Sequence, residues 1–236
     1  IKKFMQIVEI LKLKTIQPEI IVSGWVRTKR IGKNVAFIAL NDGSTIKNIQ
    51  IVVESNCVEE ETLQRVTTGS CIKVTGKLVQ SKGVGQDMEI LCSNIFILGD
   101  SSVEEYPIQP KKHSLEFLRE NAHLRFRTNT FSAVFRIRHA LSFAIHKFFN
   151  DNNFINLHTP IITSIDAEGA GEMFQVTTLN MHKHTNSKLK KTDFNSDFFG
   201  KKTNLTVSGQ LEAELGALGL GRVYTFGPTF RAENSN

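Results

Sequence analysis

The 236-residue sequence is poor in cysteine, and the few that it has exclude two common uses of this residue. Cys57, Cys71 and Cys92 are the three cysteines, and no two of them form the C-x-x-C pair that is typical of a structural zinc site. Their odd number also argues against the closed disulfide framework of small secreted proteins. The sequence therefore predicts free thiols and a reducing compartment, with the cytoplasm expected and an organelle left open.

Long apolar runs are also lacking. No segment approaches the roughly 20 apolar residues that a membrane-spanning helix requires, so we expect no membrane partner. Charged residues interrupt the N-terminal apolar positions, and no small-residue cleavage site follows them, so this stretch does not have the pattern of a signal peptide. These charged residues are Lys2, Lys3, Glu9, Lys12 and Lys14.

The remaining composition is that of a globular protein. Hydrophobic residues make up 40% of the chain and charged residues 22%, which is enough to build a sizeable core. Lysine and arginine number 29 against 23 acidic residues, giving a net charge of +6. This excess is compatible with a polyanionic partner, although an ordinary solvated surface explains it equally well.

Residues 19 to 98 alternate between apolar and polar residues in five short runs separated by turn signals. This pattern predicts five strands with a short helix after the third, and it favours a small closed barrel of the oligonucleotide/oligosaccharide-binding (OB) type, with a sandwich as the alternative. The runs are EIIVSGWVRT, NVAFIAL, TIKNIQIVVE, SCIKVTGKLVQ and QDMEILCSNIFIL.

The second half of the chain has a different organisation. Residues 99–114 contain two prolines and mixed charge, which is typical of a linker. Apolar residues at helical spacing then predict a long helix over 131–149, with Thr128 or Asn129 as N-cap. The segment 154–164 is predicted to be a strand that contains Pro160. Separate strand and helix runs predict an antiparallel α+β domain.

Three further patterns are rejected as ligand sites. His182 and His184 lie in a lysine-rich insertion, residues 181–202, and lack a third metal ligand. A calcium loop starting at Asp193 fails because Phe198 and Asn204 stand where glycine and glutamate are needed. The glycines of GALGLGRV follow a helix, so they indicate helix termination and not phosphate binding. No metal site is predicted.

Four polar groups remain open to two interpretations when the pattern alone is considered. Each contains charged or amide side chains that suit a polar ligand, and each is also compatible with solvated surface, capping or simple charge pairing. The groups are Arg30, Phe37 and Gln50; Glu168; Ser208, Gln210 and Glu212; and Arg231 with Glu233.

Taken together, these segments resemble the bacterial-type asparaginyl-tRNA synthetases, in the aspartyl/asparaginyl subclass of class II synthetases. The resemblance extends over nearly the whole chain, and EGAGEMF and VSGQLE are more similar to the asparagine enzymes than to their aspartate relatives. It implies an OB-fold anticodon-binding domain with a short N-terminal helix over 1–98, a linker over 99–114, and the first part of a class II catalytic domain, built on an antiparallel sheet, over 115–236.

The resemblance also implies roles for the polar groups. Arg30, Phe37 and Gln50 match anticodon-binding positions, with Phe37 stacking on a base and Gln50 contacting the central uridine. Amino-acid binding is implied for four residues, with Glu168 holding the ammonium group and Glu212 contacting the side-chain amide. These four residues are Glu168, Ser208, Gln210 and Glu212.

Catalysis and assembly follow from the same resemblance. Arg231 and Glu233 match motif 2, where the arginine contacts the α-phosphate of ATP, and magnesium is the implied companion of that nucleotide. The long helix with Arg138, together with Pro160, matches motif 1, which forms a homodimer interface. The implied partners are therefore tRNA(Asn), asparagine, ATP and a second copy of the chain.

The family pattern continues beyond residue 236 through motif 3, so the sequence is expected to be a fragment that is inactive alone. Two alternatives stay open at this point. One is an aspartyl-tRNA synthetase, and the other is a noncatalytic tRNA-binding protein related to the synthetases.

Overall fold

The computed structural model describes residues 3–81, 83, 85–167, 169, 171–180 and 193–234. The chain forms two compact units, Ile1–Arg138 and His139–Asn236. This division falls within a long helix, whereas the sequence analysis places domain limits at residues 98 and 115. The predicted domain limits stay a prediction.

The first unit contains a closed barrel of five long strands. They are β2 (Gln17–Ile31), β3 (Val35–Asn41), β4 (Ile49–Glu54), β5 (Cys71–Gln80) and β6 (Met88–Gly99), and a short strand β1 (Lys3–Phe4) pairs with β2. The barrel closes because β2 also pairs with β5, while β4 and β6 form a parallel pair. The five predicted strands and the barrel are confirmed.

Strict alternation of side chains explains why these segments form a barrel. On β3 and β4 every second residue is fully or almost fully buried, and the residues between them remain partly exposed. Ile38, Leu40, Ile49 and Ile51 have no exposed surface and fill the barrel interior with partners from β2, β5 and β6. The outward positions are consequently available for binding.

A short helix, α1 (Ile7–Ile10), covers part of the barrel interior with two fully buried isoleucines. Its first N–H groups are satisfied by the loop between β3 and β4. The Ile7 amide donates to Asp42 Oδ2 at 2.8 Å and the Val8 amide to Ser44 Oγ at 3.0 Å. The Asn-Asp-Gly-Ser turn therefore also caps a helix.

Two further helices lie within the first unit, and a third begins there. These are α2 (Glu60–Arg65), α3 (Leu115–Glu120) and α4 (Asn129–Asp151), with a 3-10 turn at Arg125–Arg127. Thr128 Oγ1 accepts from the Phe131 amide at 3.3 Å, which confirms the predicted cap of the long helix. No described residue of α4 is buried, and many of its apolar side chains face solvent.

The second unit contains two small sheets and one helix. Strands β8 (Ile162–Thr163), β10 (Thr203–Leu205) and β9 (Gln175–Val176) form an antiparallel sheet in that order, and β11 (Val223–Tyr224) pairs in parallel with β7 (Ile155–Asn156). Helix α5 (Gln210–Leu220) ends at Gly221, whose φ of 77° confirms helix termination by glycine. With the barrel, this gives the predicted α+β class.

The predicted continuous strand over 154–164 is wrong. Its two ends pair with different sheets, because β7 pairs with β11 and β8 pairs with β10. Pro160 lies in the interruption between them, where its missing N–H breaks no ladder bond.

A buried carboxylate connects the ends of β9 and β10. Asp197, only 7% exposed, accepts from Thr177 Oγ1 at 2.6 Å, from Thr178 N and Oγ1 at 2.9 and 2.7 Å, and from Phe198 N at 2.8 Å. These donors lower the pKa of Asp197 well below its usual range, the bond from Thr177 contributing most. The segment after residue 192 is thereby joined to the segment before 181.

None of the described helices is both long enough and apolar enough to cross a membrane.

Candidate functional site

The outer surface of the barrel brings together the three residues predicted to bind the anticodon. Arg30 on β2 is directly opposite Phe37 on β3, and Ala39 on β3 is opposite Gln50 on β4. Phe37 and Ala39 share a face, so Gln50 lies beside Phe37. The three side chains line a groove of about 480 Å³, here called the barrel groove, with Gly83, Gly85 and Gln86 on its other side.

Glu89 organises the polar end of the barrel groove. Its Oε2 accepts from Gln50 Nε2 at 3.1 Å, from Ser81 Oγ at 2.9 Å and from Gln86 Nε2 at 3.3 Å. One amide hydrogen of Gln50 is thus committed to a carboxylate, which fixes the orientation of the amide. Its oxygen and second hydrogen remain available for a ligand.

An apolar surface continues from the barrel groove across the sheet. It includes the half-buried side chains of Phe37, Val52, Val79 and Leu91, which line a shallow pocket of about 1010 Å³. The aromatic ring of Phe37 can stack on a base, and the adjacent amide of Gln50 can form hydrogen bonds with the edge of a base. The exposed cation Arg30 can contact a phosphate. The groove therefore has the chemistry of a single-stranded RNA site.

Glu89 was missed by the sequence analysis. It stands two residues before Leu91 on an alternating strand, so the pattern could have placed it on the outer face. Its hydrogen bond with Gln50 depends on the pairing of β4 with β6. Two other elements, α2 and β5, separate these strands in the sequence.

In the second unit, three segments meet around the predicted catalytic residues. The Phe230 amide donates to the Thr206 carbonyl at 2.9 Å, and the Ala232 amide donates to the Glu172 carbonyl at 2.7 Å. The Leu205 amide completes the set by donating to the Phe174 carbonyl at 2.8 Å. Thus described residues of the EGAGEMF, TVSGQLE and PTFRAE segments, far apart in sequence, lie side by side.

Arg231 and Glu233 both pack against Gly171. A Cβ atom at Gly171 would lie 2.6 Å from Glu233 Oε1 and 3.3 and 3.4 Å from Arg231 Cδ and Cγ. No regular strand covers residues 225–234, yet both side chains approach Gly171. Both are exposed, and neither forms an ion pair with any described residue, so the guanidinium is available for an anion.

The predicted amino-acid-binding residues lie at the start of α5. Ser208 Oγ accepts from the Gln210 amide at 3.1 Å, and Thr206 Oγ1 donates to the Ser208 carbonyl at 2.6 Å. Gln210 Nε2 donates to Glu214 Oε1 at 2.9 Å, a contact that the sequence analysis did not foresee. Glu212 is half-buried. Glu168 lies outside the described residues, as do His182 and His184.

Gly209 holds this helix start against the segment containing Pro160. A Cβ atom at Gly209 would lie 2.6 Å from Thr159 Oγ1. A cavity of about 30 Å³ lies beside them, lined in part by Thr206 and Gly227, and it has room for little more than a water molecule. It is too small to be the amino-acid pocket.

The remaining predicted positions are those of the dimer interface and the metal. Arg138 on α4 and Pro160 are both exposed. In the part of the chain that the structure describes, no cluster of three or more His, Cys, Asp or Glu side chains is arranged to hold a metal ion.

The fold defines a class of protein: an OB barrel followed by part of a class II synthetase domain. Residues 20–98 match the model of the OB-fold nucleic acid binding domain, and residues 114–236 match the model of the class II tRNA synthetases (D, K and N). The second match covers more than half of the chain. The chain belongs to the class II tRNA synthetase family.

The most similar curated relatives include two bacterial asparagine–tRNA ligases. That of Cytophaga hutchinsonii is 60% identical over 221 residues, which is 94% of this chain and 48% of the relative. That of Parabacteroides distasonis is 56% identical over 234 residues, which is 99% of this chain and 50% of the relative. The chain spans about half the length of these relatives, and its resemblance to asparaginyl-tRNA synthetases is confirmed.

Solved structures agree with this relationship. Asparaginyl-tRNA synthetase from Pyrococcus horikoshii, complexed with asparaginyl-adenylate, superposes with a TM-score of 0.74 at 25% identity, covering 92% of this chain and 46% of that chain. The Entamoeba histolytica enzyme, also in complex with asparaginyl-adenylate, has a TM-score of 0.76 at 20% identity, covering 100% and 49% respectively, and supports the fold alone.

Proposed function

We propose that the chain provides the tRNA-binding barrel and the first part of the catalytic site of an enzyme that attaches asparagine to tRNA(Asn) with ATP. The observation that carries this proposal is the meeting of the EGAGEMF, TVSGQLE and PTFRAE segments in a chain 60% identical to an asparagine–tRNA ligase. The proposed setting is the cytoplasm, in line with the three free cysteines.

In the first proposed step the carboxylate of asparagine attacks the α-phosphorus of ATP, and pyrophosphate leaves. Negative charge grows on the phosphoryl oxygens during this attack. Arg231 is the proposed ligand for those oxygens, because a planar guanidinium with no described ion-pair partner can donate two parallel hydrogen bonds to them. A carboxylate nucleophile needs no deprotonation, so Glu233 is proposed to orient adenosine or the tRNA end and not to act as a base.

Magnesium is proposed only as the ion that accompanies the phosphates of ATP, where it would neutralise part of their charge. Because no cluster of carboxylates suited to a metal lies within the described ranges, we assign no residue to it.

Selection of asparagine is proposed to rest on residues at the start of α5, Ser208, Gln210 and Glu212, together with Glu168. Glu212 can accept a hydrogen bond from the side-chain amide of asparagine, whereas it would repel the carboxylate of aspartate. If this role is correct, Glu212→Gln weakens the preference for asparagine over aspartate in amino-acid activation.

The barrel groove is the proposed anticodon site, with Phe37 stacking on a base and Gln50 bonding its edge. The loss of one stacked base costs about 1–3 kcal/mol. Helix α4, with exposed Leu141, Phe143 and Phe148, and the exposed Pro160 are proposed to contribute to a homodimer interface.

The test is ATP–pyrophosphate exchange by the protein expressed from its intact reading frame, with asparagine and aspartate assayed in parallel. We expect exchange with asparagine, and we expect Arg231→Ala to abolish most of it. Exchange with aspartate instead would favour the aspartyl alternative. Absence of exchange with either amino acid, with tRNA binding retained, would favour the noncatalytic alternative, and near-normal exchange by Arg231→Ala would refute the role of that arginine.

A further inference from the structure

Two half-buried arginines in the first unit have neighbours of their own charge and no described acidic partner. Arg27 lies on β2, and Arg127 lies in the 3-10 turn before α4. Arg27 and Arg127 are here called the arginine pair, and Trp25 and Tyr106 are the aromatic residues beside them. None of these four residues lines the barrel groove.

Aromatic rings hold Arg127 in place. Its Cζ atom lies 4.8 Å from the ring centroid of Trp25 and 5.9 Å from that of Tyr106, and its Nη1 contacts the Tyr106 hydroxyl at 3.5 Å. Tyr106 in turn packs over Gly69, where a Cβ atom would come within 2.8 Å of the ring. Gly69 has a φ of 93°, so the backbone there favours glycine for a second reason. This packing gives Arg127 a fixed position.

Arg27 lies at an irregularity of β2. The register of β2 against β3 shifts between Val26 and Thr28, so Arg27 is the extra residue of a bulge, a feature that redirects a side chain. Trp25, on which Arg127 packs, is its neighbour two positions earlier. Burial lowers the pKa of Arg27, and the nearby charge of Arg127 lowers it further, against a raising effect of Tyr106.

The two positive charges are left uncompensated within the described ranges. The ion pairs found there are Arg65 with Asp100 and Lys147 with Asp151, and neither arginine of the pair takes part. Among the described residues, the contact of Arg127 Nη1 with Tyr106 is the only hydrogen bond that either guanidinium makes, so the other N–H groups are available for an anion. Holding two like charges together, partly out of water, is unfavourable unless an anion joins them.

We propose that Arg27 and Arg127 form a phosphate-binding site for the backbone of an RNA partner. Guanidinium groups suit phosphate because each can donate two parallel hydrogen bonds to its oxygens. RNA is favoured as the source because β2 continues from Arg27 to Arg30 in the barrel groove, about 10 Å further along the strand. One RNA chain can therefore contact both places. This inference rests on the proposed tRNA recognition and adds a second contact to it.

The experiment measures binding of a tRNA(Asn) transcript to the protein expressed from its intact reading frame, by fluorescence anisotropy across a salt series. Each phosphate contact contributes about 0.7–0.9 to the slope of log K against log salt concentration. We expect Arg27→Gln and Arg127→Gln each to reduce the slope by about this amount, and Arg127→Lys to retain it.

Arg65→Gln is the matched control. Arg65 lies in the same unit, but it already forms a bidentate pair with Asp100 at 3.2 and 2.8 Å, so its removal should leave the slope nearly unchanged. Thermal unfolding of each variant checks that the fold is retained. Arg127→Gln removes contacts with two aromatic rings and could unfold the protein. Arg27→Gln removes no described cation–ring contact, so its salt slope tests the proposal even if Arg127→Gln unfolds.

Slopes equal to wild type in both glutamine variants would overturn the phosphate site and leave the arginines as packing between the barrel and the segment carrying Tyr106. That result would leave the barrel groove intact as a tRNA site. Failure of the wild-type chain to bind the transcript would overturn the proposed tRNA recognition, and this inference with it.

Discussion

Replacement of Glu89 by alanine tests whether the barrel groove acts through an amide of fixed orientation. Glu89 accepts from Gln50, Ser81 and Gln86 through the same oxygen. Without it, the amide of Gln50 can rotate by half a turn and offer its nitrogen where a base requires oxygen. The groove would keep its shape and its aromatic ring, but its polar contact would be disordered.

The expected loss can be worked out from that change. Two equally populated amide orientations cost about 0.4 kcal/mol at 25 °C, and immobilising a freed side chain on binding costs about 0.5–1.5 kcal/mol. The sum is about 1–2 kcal/mol. Since 1.4 kcal/mol corresponds to about tenfold in affinity, Glu89→Ala should weaken tRNA binding by about 5–30-fold.

Removal of a carboxylate near RNA also reduces repulsion, and a second variant separates this effect. Glu54 lies at the end of β4 on the same outer surface, and no described side-chain hydrogen bond involves it. Glu54→Ala should therefore leave tRNA binding unchanged or tighten it. Fluorescence anisotropy on wild type and both variants gives the comparison, and equal behaviour of Glu54→Ala and Glu89→Ala would refute the positioning role of Glu89.

Three other changes have equally defined outcomes. Gly171→Ala places a methyl group against Arg231 and Glu233. A displacement of these side chains by about 1 Å should reduce ATP–pyrophosphate exchange by up to about 100-fold. Gly219→Ala is the control, because its methyl group meets no atom within 4 Å, and it should leave the exchange unchanged. Asp197→Asn should lower the melting temperature at neutral pH. The folded state holds the pKa of Asp197 below its usual value. The ionised carboxylate therefore contributes to stability above about pH 4, and this contribution is lost as the pH falls through the folded pKa. The melting temperatures of wild type and Asp197→Asn should consequently converge on acidification, and a constant difference would contradict this. Asp42→Ala removes the acceptor for the Ile7 amide and should lower the free energy of unfolding by about 1 kcal/mol in urea titrations, whereas Glu104→Ala, at an exposed side chain, should not.

The barrel and the long helix could be predicted because both depend on local periodicity. Alternation on β3 and β4 identifies their buried faces, and Thr128 precedes the apolar residues of α4 as a cap should. The break at Pro160 could not be predicted, because it depends on which sheet each half of the segment joins, and those partners lie about forty to seventy residues away.

The sites were predictable to the extent that a motif carries them. Arg30, Phe37 and Gln50 were expected together, and the structure brings them into one groove. Glu89 and Gly171 were missed because their roles arise from neighbours distant in sequence. The irregularity of β2 at Arg27 leaves no clear mark in the sequence.

The carboxylate of Asp197 has a consequence for how this protein can change. Three hydrogen bonds from Thr177 and Thr178 to Asp197, together with the pairing of β9 and β10, hold together the described parts of the chain before residue 181 and after residue 192. Closing a longer loop between fixed ends costs only about 0.6 kcal/mol for each doubling of its length. We therefore expect that a change in the number of residues between positions 180 and 193 leaves the hydrogen bonds to Asp197 and the pairing of β9 with β10 in place.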